Sequence, residues 1–133
     1  MEYYKSLFNN LGKMDFPTIK TNKQIEFINL PCGFDIETTS YKQGEDKAAF
    51  MYIWMIGIGH NTGVYYGRTW EELKNLCLFL QLELNLSESR RLVIYVHNLG
   101  YEFQFMRKYF DWLEDGLFAV DERKPIKALC TYG

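Results

Sequence analysis

Polar and apolar positions along the chain change period several times, and each change marks an element. Residues 1–23 are mixed and weakly periodic, which predicts an arm or a short helix, and residues 24–29 alternate briefly. Pro31 and Gly33 frame a predicted strand over residues 32–38, and the polar stretch 40–47, with Gly44 inside it, predicts a loop. Residues 50–59 are rich in aromatic and β-branched side chains and predict a buried strand. Asn61-Thr62-Gly63 is a turn signal, so residues 64–66 should return as a paired third strand. Thr69-Trp70-Glu71-Glu72 matches a capping box, and Leu73, Leu76, Cys77, Leu80 and Leu84 then follow helical spacing. Residues 91–96 form a continuous apolar run, as expected of a strand covered on both faces. A second helix is predicted over residues 99–110, followed by a short apolar piece at 117–120 and one more strand beginning within 125–131.

The predicted order is β-β-β-α-β-α-β: a three-strand meander, then helices alternating with strands. That is an α/β domain with a mixed sheet, and the order fits a ribonuclease-H-like architecture. The division expected is an N-terminal arm or short helix over 1–25 and one domain over 26–133, C-terminally incomplete.

Composition narrows the function classes. A hydrophobic share of 47% supports a packed core rather than disorder. A net charge of −2 argues against simple phosphate binding by surface lysines and arginines, while leaving open a site that meets phosphates through metal ions. Cys32, Cys77 and Cys130 are scattered, without a Cys-x-x-Cys pair, which speaks against a disulfide framework or a zinc site. The most apolar segment, residues 48–59, is shorter than the ~20 residues of a membrane span. A cytoplasmic protein without a membrane partner is the expectation.

Two groups of residues carry candidate chemistry. Asp35 and Glu37 are two apart on a predicted strand and project from one face, with Phe34 and Ile36 on the other. Paired carboxylates repel each other and favour an oxygen-preferring cation such as Mg²⁺ or Mn²⁺. Taken alone, Asp-x-Glu is common and reads more readily as a solvated strand end. Asn98 and Glu102 share one face at the start of the second helix, and Phe105 extends it, while Leu99, Phe103, Met106 and Phe110 form the packing face. Asn98 follows the C-terminal end of a strand, where sites form in open α/β sheets. From there Glu102 could approach Asp35 and Glu37. By themselves, Asn98 and Glu102 read better as an ordinary helix cap and a dipole-stabilising acid.

The combination of Asp35-Ile36-Glu37-Thr38 with His97-Asn98-Leu99-Gly100-Tyr101-Glu102 resembles the first two exonuclease motifs of family B DNA polymerases, most nearly the protein-primed type of phages and linear plasmids. Gly67-Arg68-Thr69-Trp70-Glu71-Glu72 and Arg123-Lys124-Pro125-Ile126-Lys127-Ala128-Leu129 belong to the same likeness, which spans about residues 32–132. The resemblance implies proofreading from the 3′ end of single-stranded DNA, releasing nucleoside monophosphates with two Mg²⁺ or Mn²⁺ ions. It implies Asp35, Glu37 and Glu102 as catalytic metal ligands, with Glu102 standing where the family has Asp. It implies Thr38, His97, Asn98, Tyr101 and Phe105 as holders of the DNA strand, a terminal protein primer as partner of the parent polymerase, and the host cytoplasm as its location. The family's third motif, a Tyr followed four residues later by an Asp, does not occur after Tyr132, so weak or absent activity is expected of this chain alone. The alternative is a non-catalytic nucleic-acid-binding or interaction module of the same fold.

Overall fold

The computed structural model describes residues 1–11, 18–20, 24–44, 46–59, 63–97, 99–110, 118–119 and 125–127. Its elements are β1 (Glu2–Tyr3), α1 (Ser6–Leu11), β2 (Thr18–Lys20), β3 (Glu26–Ile28), β4 (Cys32–Gln43), β5 (Asp46–Ile58), β6 (Gly63–Gly67), α2 (Trp70–Glu83), β7 (Arg90–Arg91), β8 (Ile94–Val96), α3 (Leu99–Met106), β9 (Phe118–Ala119) and β10 (Pro125–Lys127). The chain is a mixed α/β fold. Its main sheet is open and five-stranded, in the order β1-β6-β5-β4-β8. β4, β5 and β6 form the antiparallel meander, while β8 joins β4, and β1 joins β6, in parallel. β2-β3-β7 and β10-β9 make two smaller sheets. No helix among the described residues is long and apolar enough to cross a membrane.

Alternation sorts the strand residues. Cys32, Phe34, Ile36, Trp54, Ile56, Ile58 and Tyr65 are buried, and they meet Leu73, Leu76 and Leu80 of α2 in one core. Gly33, Asp35 and Glu37, between the buried residues of β4, are exposed. Trp54 is fully buried and its indole N–H donates to the Thr69 carbonyl at 2.8 Å, tying β5 to the start of α2. Gly67 is required beside it, because a Cβ there would overlap the Trp54 ring.

Thr69 caps α2 as expected. Its hydroxyl oxygen accepts from the Glu72 amide at 3.1 Å, and Glu72 Oε1 accepts from the Thr69 hydroxyl and from the Arg68 amide, each at 3.2 Å. The far end closes when the Leu84 amide donates to Leu80, after which Asn85 takes a left-handed conformation (φ 55°).

Several expectations change. Residues 40–47 are not a loop. β4 runs on to Gln43 and β5 begins at Asp46, so the two form a long hairpin turning at Gly44 (φ 67°). A paired ribbon satisfies its backbone whatever its side chains, so a polar one leaves no hydropathy signal. The run 91–96 is not one strand covered on both faces. Arg90–Arg91 joins β3, and Ile94–Val96 is an edge of the main sheet with Tyr95 70% exposed. α3 stops at Met106, and β10 pairs with β9 instead of entering the main sheet. The N-terminal segment includes the short helix α1, one of the two forms expected; β1 pairs with β6, and Tyr4 and Leu7 are buried in the core. Residues 61–62, 117, 120 and 128–131 of the predicted turn and strands, including Cys130, lie outside the described residues. Neither Cys32 nor Cys77 forms a disulfide among the described residues.

Candidate carboxylate site

β4 is much longer than its parallel neighbour. The β4–β8 ladder covers only Cys32 to Phe34, so beyond Phe34 that side of β4 has no β8 partner. The chain leaves β8 at Val96, and after His97 it continues into α3, which begins at Leu99. α3 turns Phe103 inward to a buried position and lays Phe105 and Met106 against the core. The Ile36 amide donates to Asp35 Oδ1 at 3.0 Å, holding that carboxylate beside its own backbone.

Glu102 comes down on this spot. Its residue is 2% exposed, and among the described residues it is the buried charged side chain of the core region. Burial pushes its carboxyl up from the ordinary range to about 8, and hydrogen bonding to Asp35 and repulsion from the Asp35 charge push the same way. The Ile36 amide opposes them by bonding the charged form. Glu102 Oε2 has no hydrogen-bond partner. A buried carboxyl oxygen without a partner is a costly arrangement, which points to a proton or a cation as the missing neighbour.

Glu37 is exposed, and alternation puts it on the face of β4 that carries Asp35. Just past it the pairing shifts. Glu37 faces Ile53 and Thr38 faces Met51, so Tyr52 is the extra residue of a bulge in β5. Among the described residues no three His, Cys, Asp or Glu side chains come together as a group able to hold a metal. The acids brought together are therefore Asp35 and Glu102, with Glu37 nearby on the strand and outside that pair.

The residues expected to hold a strand of DNA are distributed as follows. Thr38 Oγ1 and the Tyr101 hydroxyl share a hydrogen bond of 2.6 Å. Tyr101 is 46% exposed and meets Phe105 edge-to-face, with centroids 5.2 Å apart. Phe105 is partly buried against the core, so Tyr101 offers the more accessible ring. His97 is exposed in the turn after β8. Asn98 lies outside the described residues. Sequence reasoning missed the Ile36 amide, which bonds both carboxyls, and the mutual bond of Thr38 and Tyr101. Nothing in an amino-acid string marks a backbone donor, whereas two hydroxyl residues at these positions were at least visible.

Comparison with models of known protein families, with curated proteins and with solved structures finds no significant match.

Proposed function

We propose that this chain is the N-terminal part of a 3′→5′ exonuclease domain of ribonuclease-H-like fold, of the kind joined to protein-primed family B DNA polymerases. Its substrate would be the 3′ end of single-stranded DNA. The observation that carries the reading is the buried Glu102 carboxyl, with an unpartnered oxygen, held against Asp35 where β4 outruns β8. Protonation relieves such a pair up to about pH 8. A hard divalent cation that displaces the proton relieves both the burial and the repulsion. The order of the core elements, a meander followed by α2, the parallel strand β8 and then α3, agrees with the order expected for that architecture.

A Mg²⁺ or Mn²⁺ ion would be held by Asp35 and Glu102, and Glu37, on the same face of β4 but outside that pair, would join only if the ion drew it in. A bound divalent ion would neutralise phosphate charge and lower the pKa of water. The chain's own part is then definite. Glu102 has to give up its proton to solvent before it can serve as a ligand. The Ile36 amide keeps Asp35 and Glu102 turned toward each other. The Tyr101 ring gives a base a surface to stack on without regard to sequence, an interaction worth ~1–3 kcal/mol per base.

One observation favours a second reading, a non-catalytic nucleic-acid-binding or interaction module: the described residues assemble no three-acid group. Fluorescence anisotropy of a short labelled DNA single strand separates the two. The exonuclease reading expects Mn²⁺ to tighten binding and Asp35→Asn to remove the gain. Binding indifferent to both Mn²⁺ and Asp35→Asn would establish the module instead.

A further inference from the structure

α3 is attached to β4 by two consecutive residues. Glu102 reaches Asp35 and the Ile36 amide, and Tyr101 reaches Thr38. Neighbouring helical residues point about 100° apart, so these two side chains leave α3 in different directions. Their targets differ as well. Asp35 and Glu37 lie on the exposed face of β4, whereas Thr38, facing the buried Met51, belongs to the opposite face. A helix tied at one point can still roll about its axis. One tied on both sides of a strand edge cannot roll without breaking a bond.

We infer that the Thr38–Tyr101 hydroxyl pair is a strut that fixes the roll of α3, making Thr38 and Tyr101 positioning residues for Glu102. This inference rests on reading Asp35 and Glu102 as a cation-binding pair. It gives these residues a task separate from holding DNA, and one that needs the hydroxyls rather than the ring. The apolar contacts of α3 set its distance from the core. Phe105 and Met106 are only partly buried there, and apolar contacts are non-directional. The hydroxyl bond is directional, and it lies one residue from the carboxyl it would orient.

The test uses the whole chain with Mn²⁺ as the probe, titrated calorimetrically. Tyr101→Phe keeps the ring and its edge contact with Phe105, and Thr38→Ser keeps the hydroxyl, so both should fold. Tyr101→Phe and Thr38→Val should each weaken Mn²⁺ binding about tenfold, the low end for groups that orient a metal ligand. The double variant should be no weaker than either single one, and Thr38→Ser should bind like the parent. Unchanged Mn²⁺ affinity in Tyr101→Phe, or effects that add in the double variant, would overturn the strut. Asp35→Asn serves as the control on the underlying reading. If the parent binds no Mn²⁺, or Asp35→Asn binds it equally well, the cation reading fails. Hydrogen exchange then judges the strut separately. Faster exchange at the Ile36 amide and in the first turn of α3, in Tyr101→Phe and Thr38→Val but not in Thr38→Ser, upholds it, and unchanged exchange refutes it.

Discussion

Two glutamates stand in the first turn of two helices, and the chain treats them in opposite ways. Glu72 of α2 is surrounded by donors: the Tyr3 hydroxyl, the Arg68 amide and the hydroxyl of Thr69 all reach it. Desolvation, the largest single influence, raises its carboxyl, but those bonds together outweigh it and hold it below the ordinary range. Glu102 of α3 is buried, faces another acid and keeps one oxygen without a partner, and its carboxyl is pushed up to about 8. The same residue type at nearly the same helical position is spent on stability in one case and held ready in the other. The difference lies in what surrounds each carboxyl. A charge satisfied by several protein donors has little left for a ligand, whereas one met only by the Ile36 amide, with an oxygen unpartnered, keeps more of its affinity.

The contrast can be broken first from the stable side. Gly67→Ala should have the largest effect, costing about 3 kcal/mol, because the new methyl overlaps the Trp54 indole that anchors the start of α2. Thermal melting checks this, and an unchanged midpoint would remove Trp54 and Gly67 from the anchor. Thr69→Ala should cost about 1 kcal/mol by losing the cap, while leaving Mn²⁺ binding untouched. Loss of metal affinity in that variant would mean that the two helix starts are not separate. Tyr3→Phe should lower the midpoint least, since it removes one exposed bond from an already satisfied carboxylate.

The functional side has its own signature in pH. A carboxyl raised from 4.5 to about 8 on folding binds its proton more tightly in the native state. Its contribution is therefore present in full below about pH 4.5 and is lost as pH climbs through the window up to about 8. Glu72 runs the other way, giving stability above the ordinary carboxylate range that is lost as pH falls through its lowered value. Glu102→Gln should flatten the alkaline decline and leave the acid limb in place.

The Glu72 side of this contrast was largely legible in the sequence, and the Glu102 side only in outline. Thr69-Trp70-Glu71-Glu72 specifies its own hydrogen bonds because all the partners are local. The meander was legible for a similar reason, since alternation in β5 and the turn signal before β6 are short-range. That α3 begins beside the end of β8, and so near β4, follows from element order. The burial of Glu102 could not be read, because it depends on β8 pairing with β4 only as far as Phe34. Register of that kind is decided by tertiary packing. Residues 40–47 were misread for the opposite reason: pairing in the β4–β5 ribbon is satisfied by the backbone and leaves no hydropathy trace. The Arg91–Val96 run misled because apolar content alone does not separate an edge strand from a central one.

The account's central claim is that the Asp35–Glu102 pair awaits a divalent cation, and melting curves across pH with and without Mn²⁺ test it most directly. Without metal, the midpoint should fall between pH 5 and pH 8, because the unfolded chain's Glu102 ionises there while burial keeps the native carboxyl protonated. With Mn²⁺ present the fall should shrink or reverse, because the cation binds the ionised pair and stabilises the native state by mass action. Asp35→Asn should lose that response to Mn²⁺. A midpoint that declines identically with and without Mn²⁺ in the parent chain would contradict the claim.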